Sequence, residues 1–299
     1  MKILNFLSAL FLITFFSIEF SFAKIDDIDV VYQVTPQSFQ NEKERVYGDI
    51  NDIIKRGEIV VCSVSNTSNP LFLMKKKGSE NKEKLDLVGE DIELAKRIAK
   101  GLGVRLLFRL CYKSYEDVVK AIAKGEGDIG IAKLSYTTER SRKVMYTEPY
   151  VIAKKTLLMS RQIAESNQEK SVKDLINDER FKIGVAKGAS YVEFAKLLFP
   201  KSQILELNNW EKQTVEKLKN KEIIATLRDN LRVNLLMNQH PELSLKFIPI
   251  ILKGENDYIS GIVNYKSLEL LNWINKFLES ETKIKTIDDL MKEYEEYIK

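Results

Sequence analysis

Arg140 closes a stretch in which a short apolar strand runs into a polar turn, GDIGIAKLSYTTERSRKVMYTEPY over residues 127–150. Ile129 and Ile131 supply strand character, while Ser135, Thr137, Thr138, Glu139 and Arg140 place hydroxyls and a fork-shaped donor where that strand ends. A guanidinium in that position can hold a carboxylate by two parallel hydrogen bonds, a geometry that lysine cannot reproduce. The alternative is a solvated residue at a helix start. Further along, Gly188, Ala189 and Ser190 form a turn ahead of a helix, so its backbone N–H groups favour an anion. Asp229 follows an apolar strand, where its carboxylate can accept from a ligand ammonium, cap the helix that starts at Asn230, or do both. One cation, one anion and a donor-rich turn suit a zwitterion. A buried ligand charge is costly unless paired, so complementary charges at both ends are what an α-amino acid pocket requires.

Other chemistries have little to work with. The chain holds one histidine, His240, and two cysteines, Cys62 and Cys111, too few for a Cys/His metal site. No metal or cofactor is expected. A hydrolytic triad needs a base beside its nucleophile, and His240 beside Pro241 reads as a surface residue. The two thiols lie on strands that can be neighbours, leaving either a disulfide or two buried thiols. With 47 basic and 43 acidic residues, the formal net charge is +4, and no Lys/Arg stripe interleaves with aromatics, so nucleic acid is not an expected partner. The run at 75–77 reads as a solvated hairpin tip.

The elements that must position these residues follow from periodicity. Residues 58–64 form a β-branched apolar run, and 89–103 carry Ile92, Ala95, Ile98, Ala99 and Leu102 at helical spacing between glycines. A second strand at 104–110 leads to Ser114 and Asp117, a capping-box pattern opening a helix that Gly125 ends, and a strand at 128–132 completes a βαβαβ unit. Ligands collect at the carboxyl ends of such strands. After a β-rich crossover at 152–160 the pattern repeats, with strands at 181–186, 203–207 and 223–227 and helices at 191–198 and 214–220. An extended return at 245–252 leads to 261–264 and a helix over 267–278 that must pack back on the first lobe. Two lobes joined by two connections, with strand ends facing one cleft, can close on a small molecule by a hinge.

At the N-terminus, Met1 and Lys2 precede an apolar run over 3–18, then Ser21, Phe22 and Ala23 before Lys24. This predicts a secretory signal cleaved after Ala23, the run being shorter than the roughly 20 residues of a spanning helix; an uncleaved anchor is the alternative. The remaining 24–299 should be soluble and exported.

Six motifs in order now carry a resemblance: INDIIKRGEIVV, VGEDIELAKRIAKGLG, KGEGDIGIAKLSYTTERSRKVMYTEPY, IGVAKGASYVEF, IIATLRDN and SGIVNYKSLELLNWINKFL. They resemble the periplasmic solute-binding proteins of the polar amino-acid family, the extracellular subunits of ABC importers, over nearly all of the mature chain. The resemblance implies an α/β fold of two lobes, the periplasmic-binding-protein or Venus-flytrap arrangement. Each lobe is a mostly parallel sheet flanked by helices, lobe 1 being 24–153 plus 253–299 and lobe 2 being 154–252, with two crossover connections. It also implies a monomer in the periplasm, handing a polar or charged amino acid to an inner-membrane permease. Arg140 then anchors the α-carboxylate, Ser135 contacts it by backbone and hydroxyl, Ser190 donates from the second lobe, and Asp229 accepts the ammonium.

Departures from the family pattern leave the ligand open. Ser68 stands where many relatives place an aromatic ring and Ser65 where several carry an acid; Glu90 and Leu71 replace aromatics. Lys133 takes a position that is usually small, from which it either selects an acidic or amide side chain or points to solvent. Tyr115 either supplies the missing wall or is an exposed helix-start residue. The fold also resembles that of cyclohexadienyl dehydratases, which act on prephenate or arogenate. Such a lyase needs a general acid, for which Glu139 and Asp229 are the candidates. An amino-acid sensor domain acting with a membrane partner is a third reading. No enzymatic activity is expected of the first.

Overall fold

The computed structural model of the chain describes residues 28–34, 49–65, 68–76, 86–166, 170–281 and 283–298. The expected export signal and its expected cleavage point lie outside them, as does Lys77 of the expected hairpin tip. Among the described residues, no helix is long and apolar enough to cross a membrane.

The chain opens with β1 (Val30–Gln33), α1 (Ile50–Arg56) and β2 (Glu58–Val64). Asp49 accepts from the first amide of α1, and Gly57 ends it at φ 69°, a left-handed turn that glycine makes without a Cβ clash. β2 is buried at every position, as befits a parallel strand covered on both faces. A small antiparallel sheet follows, β3 (Ser68–Asn69), β4 (Leu73–Lys75) and β5 (Leu87–Val88). Next come α2 (Glu90–Leu102), β6 (Arg105–Tyr112), α3 (Tyr115–Lys124) and β7 (Ile129–Gly130). The expected capping box of Ser114 and Asp117 opens α3. β7 is shorter than the strand expected at 128–132. Ile131 N still bonds to Cys62 O, but Lys133 turns to φ 49° and takes the backbone out of the ladder.

A single helical turn, α4 (Thr138–Ser141), precedes the long strand β8 (Met145–Ser160). The second half runs α5 (Arg161–Glu165), α6 (Val172–Ile176), β9 (Lys182–Ala186), α7 (Tyr191–Leu198), β10 (Gln203–Leu207), α8 (Trp210–Lys219), β11 (Ala225–Asp229) and α9 (Asn230–Gln239). After a 3-10 turn at Pro241–Leu245, β12 (Phe247–Val263) returns the chain, followed by α10 (Leu268–Glu281), β13 (Lys285–Thr286), α11 (Ile287–Glu293) and α12 (Glu295–Ile298). His240 caps the end of α9 with its Nδ1 3.4 Å from Glu242, on the surface.

The strands order as β1-β6-β2-β7-β12-β8-β11-β9-β10, with β13 beside β8. Outer pairs are parallel, as in β2 with β6 and β9 with β10. The two connections, β8 and β12, run antiparallel to each other through the middle. This is the two-lobed α/β fold expected. One correction concerns the return: the segments read as 245–252 and 261–264 are one strand, β12. Its register slips between Ile251 and Asn256, where Gly254 sits at φ 76°, and that break imitates a loop in the sequence.

The apolar core divides in the same way. One cluster gathers Ile59, Ile98, Phe108, Val151, Ile274 and Leu290; others gather Leu157, Ile183, Phe194 and Leu227, and Leu158, Trp210, Leu218 and Phe247. α10 packs on the first, as expected, through Leu270, Ile274 and Leu278. Its Trp273 lies so close to α2 that a Cβ on Gly101 would meet the ring at 2.9 Å. β2 and β6, which carry the two cysteines, are indeed neighbours. Cys62 is buried opposite Arg109, its Sγ 3.6 Å from the Tyr112 hydroxyl; the side chain of Cys111 is outside the described set.

Candidate functional site

Behind β7 the chain is stitched to β12, with Ser260 N donating to Leu134 O at 3.0 Å and Tyr136 N to Tyr258 O at 2.9 Å. This fixes Ser135 at the lobe edge. Thr137 then caps α4, accepting from Arg140 N at 3.2 Å, which sets the direction of the arginine side chain. Its guanidinium folds inward, 6% exposed, with Nη1 donating to Ser135 O at 3.4 Å. Tyr146 donates to the same carbonyl at 3.0 Å. Among the described residues no carboxylate forms an ion pair with Arg140.

From the other lobe, β11 delivers Arg228 and Asp229. Asp229 caps α9, its Oδ1 accepting from Arg232 N at 3.0 Å. Its Oδ2 accepts from Lys133 Nζ at 3.2 Å, across the cleft. Both side chains are almost fully buried. Burial opposes ionisation of Asp229, but Lys133, Arg228 and the Arg232 amide together hold it below the ordinary carboxylate range. Burial draws the Lys133 ammonium down, with Asp229 opposing. Lys133 Nζ also lies 4.9 Å from the Phe72 ring centroid. The Arg228 guanidinium stands between Tyr191 and Trp210, 5.3 and 5.6 Å from their ring centroids, and its Nε has no hydrogen-bond partner among the described residues.

The turn before α7 brings Ser190 to the cavity with its hydroxyl free of a capping bond. Tyr191 donates to Asp257 Oδ2 at 2.8 Å, and Asp257 Oδ1 has no partner among the described residues. Burial raises the Asp257 pKa. These groups line one narrow interlobe cavity of about 20 Å³. At its mouth, Glu193 of α7 accepts from Thr138 N at 2.8 Å and from Glu139 N at 3.4 Å, so one lobe caps a helical turn of the other.

The profile of the bacterial extracellular solute-binding proteins, family 3, matches residues 60–296. The chain belongs to that family. Among the relatives of this family-3 protein, the membrane-bound lytic murein transglycosylase F of Yersinia pestis (strain Pestoides F) is 28% identical over 207 residues, 67% of this chain and 38% of that protein. The chain thus spans well under half the length of that relative. A probable histidine-binding protein of Campylobacter jejuni subsp. jejuni is 27% identical over 239 residues, 78% of this chain and 89% of the other. A solved structure, an ancestral arginine-binding protein bound to glutamine, is 26% identical with a TM-score of 0.55, over 81% of this chain and 98% of that one.

Of the side chains singled out by sequence, Tyr115, Lys133, Ser135, Arg140, Ser190 and Asp229 line the cavity of the family-3 protein. Tyr115, partly buried at the start of α3, lies in the field of Arg228, Arg232 and Asp229. Ser65 does not join them: its amide donates to Tyr112 O at 2.8 Å, extending the β2 ladder, and its side chain is exposed. Ser68 enters β3, paired with Met74; its side chain is outside the described set. The two proposed general acids are poorly suited, since Asp229 is held ionised and Glu139 is 74% exposed, 3.8 Å from Lys143. Glu90 is buried away from the cavity, paired with Arg97 at 2.8 Å and Lys285 at 2.6 Å. Leu71 is a core residue.

Sequence reasoning missed Arg228, Tyr191 and Asp257. Arg228 carried a signal, a charged pair with Asp229 where an apolar strand ends, but the strand was read two residues short. Asp257 lies in the stretch of β12 taken for a break.

Proposed function

We propose that this chain is the binding subunit of an ABC importer, exported to the periplasm after loss of residues 1–23, where it works as a monomer. Lobe 1 (24–153 plus 253–299) and lobe 2 (154–252) close by a hinge over a polar or charged amino acid in the interlobe cleft. The solute then passes to an inner-membrane permease. The carrying observation is Arg140, a guanidinium 6% exposed in an interlobe cavity and without a carboxylate partner among the described residues. A buried charge is costly until paired, and a ligand carboxylate supplies the pair, with Ser135 and the Ser190 turn as further donors. Binding groups come from both lobes, so a ligand favours closure through its greater affinity for the closed state. The histidine-binding relative and the glutamine-bound structure support the solute class. No bond chemistry is proposed.

A thermal-shift panel of amino acids, oxo acids, dicarboxylates and short peptides tests this. At a hundredfold excess over Kd a ligand adds about 2.7 kcal/mol, roughly 5–10 °C for a chain of this size. The shift should vanish in Arg140→Ala. An equal shift in that variant, or none for any compound after unfolding and refolding to strip carried-over ligand, rejects the reading.

A further inference from the structure

The cleft holds more cations than its own carboxyls can pair. Lys133, Arg140 and Arg228 face two acids there, Asp229 and Asp257, which leaves an excess of one positive charge when all are ionised. Asp229 is already shared. Its Oδ1 accepts from the Arg232 amide at 3.0 Å, and its Oδ2 has Lys133 Nζ at 3.2 Å and Arg228 Nε at 3.9 Å. Two cations around one carboxylate can satisfy a second. Lys133 is the one placed to reach it, because a backbone at φ 49° aims its side chain into the cleft, while the Tyr191 and Trp210 rings hold Arg228 beside Asp229.

Asp257 is the acid with capacity to spare. Its Oδ2 accepts from the Tyr191 hydroxyl at 2.8 Å, and its buried Oδ1 has no partner among the described residues. It also stands close to the carboxylate anchor. Ser135, whose carbonyl receives Arg140 Nη1, bridges to Ile259 of β12, and Asp257 lies two residues earlier on the same face of that strand. Arg140 and Asp257 therefore flank one residue without forming an ion pair, the arrangement that the two charged groups on a single α-carbon require.

We propose that the cleft selects acidic amino acids, with the α-carboxylate on Arg140, the α-ammonium on Asp257 Oδ1 rather than on Asp229, and the side-chain carboxylate on Lys133. This rests on the cleft being the solute site. A ligand with one net negative charge cancels the excess, whereas a neutral amino acid leaves it and a cationic one adds to it. The ligand ammonium in turn favours the ionised form of Asp257. At about 20 Å³ the cavity as it stands holds little more than a water molecule, so the ligand enters between parted lobes and the contact of Lys133 with Asp229 gives way. An acidic side chain then replaces Asp229 on Lys133 while Arg228 keeps Asp229, and no buried charge is left unpaired. An amide offers Lys133 no such exchange.

Calorimetry on the purified protein, unfolded and refolded to strip carried-over ligand, tests this with matched compounds. Glutamate against glutamine, and aspartate against asparagine, read the side-chain charge; glutamate against glutarate reads the ammonium; arginine is the cationic control. Each acid should bind at least about tenfold more tightly than its amide, and glutamate at least about tenfold more tightly than glutarate. Lys133→Met should bring acid and amide within about threefold of each other, as should Lys133→Asn, which suits the left-handed backbone if Met disturbs it. In Asp257→Asn the amide oxygen can keep the Tyr191 bond, which turns NH₂ toward the ligand ammonium, so the preference for glutamate over glutarate should disappear. Loss of that preference in Asp229→Asn but not in Asp257→Asn overturns the assignment of the ammonium. Binding of any neutral or cationic amino acid as tightly as the acids overturns the selectivity while leaving the receptor reading intact. Absence of a response to every amino acid overturns both.

Discussion

Replacing Asp91 by Asn should flatten the pH dependence of stability. Asp91 lies in the first turn of α2, 1% exposed, with Tyr150 donating to Oδ1 at 2.6 Å and Oδ2 unpartnered among the described residues. Burial pushes its pKa to about 7 from 3.8, with the Tyr150 hydroxyl and the Lys133 amide opposing and Glu90 adding to the rise. A carboxyl whose native pKa exceeds its unfolded value binds its proton more tightly when folded. Its stabilising contribution is therefore full below the unfolded pKa and is lost as pH rises through the native one. A shift of about three units corresponds to ~4 kcal/mol at ~1.4 kcal/mol per unit. The unfolded carboxyl is already mostly ionised at about pH 5, so roughly 2–3 kcal/mol of this falls between about pH 5 and 8.

Asparagine has no proton to lose and keeps an acceptor for Tyr150, so that share of the slope disappears. At roughly 2–4 °C per kcal/mol for a chain of this length, the parent's melting temperature should fall about 5–10 °C more than the variant's from pH 5 to pH 8. Asp128, raised to about 6 by burial against the pull of Arg56, titrates in both proteins and cancels in the difference. The assay is calorimetric melting of parent and Asp91→Asn across that range. Parallel curves would refute the burial argument, whatever the variant's absolute stability.

Two further outcomes follow from geometry. Glu193→Ala removes the carboxylate that caps α4 from the other lobe; an exposed cap is worth about 0.5–1 kcal/mol, so ligand release in stopped flow should quicken roughly two- to fivefold, and an unchanged rate dismisses the latch. Gly89 stands at φ 126°, where a Cβ would meet Phe72 O at 2.5 Å. Gly89→Ala should therefore cost at least about 2–3 kcal/mol in chemical denaturation, and an unmoved midpoint would show that the β3-β4-β5 sheet yields.

Much of the fold was legible because its signals are local. Ser114 with Asp117, Gly103 and Gly125 mark helix ends by hydrogen-bonding and backbone rules that need no tertiary context. The apolar runs at β2 and β6 are buried on both faces and read as such. What escaped depends on distant partners. β1 is a short edge strand that exists by pairing with β6, and α1 takes much of its definition from Asp49, which also accepts from Glu269 N at 2.8 Å at the head of α10. The site was legible where charge met a strand end, at Arg140 and Asp229. Whether Lys133 faced solvent or the pocket could not be read from its neighbours, because a left-handed backbone angle decides it. Asp257 was hidden because alternation along β12 lapses near Gly254.

That lapse has a mechanical consequence. β8 pairs with one stretch of β12 from Ile251 back to Phe247 and with another from Asn256 onward, and the four residues between stand against Lys155 alone. Two independent tethers would let the lobes twist and slide as well as bend. In the closure proposed above, two crossings bonded to each other on either side of one short unbonded gap would act as a leaf hinge, stiff in torsion and shear and compliant about a single pin. Such a joint would return the facing walls to the same alignment at each stroke, so groups carried on opposite leaves, Lys133 and Asp229 among them, would need no search to meet.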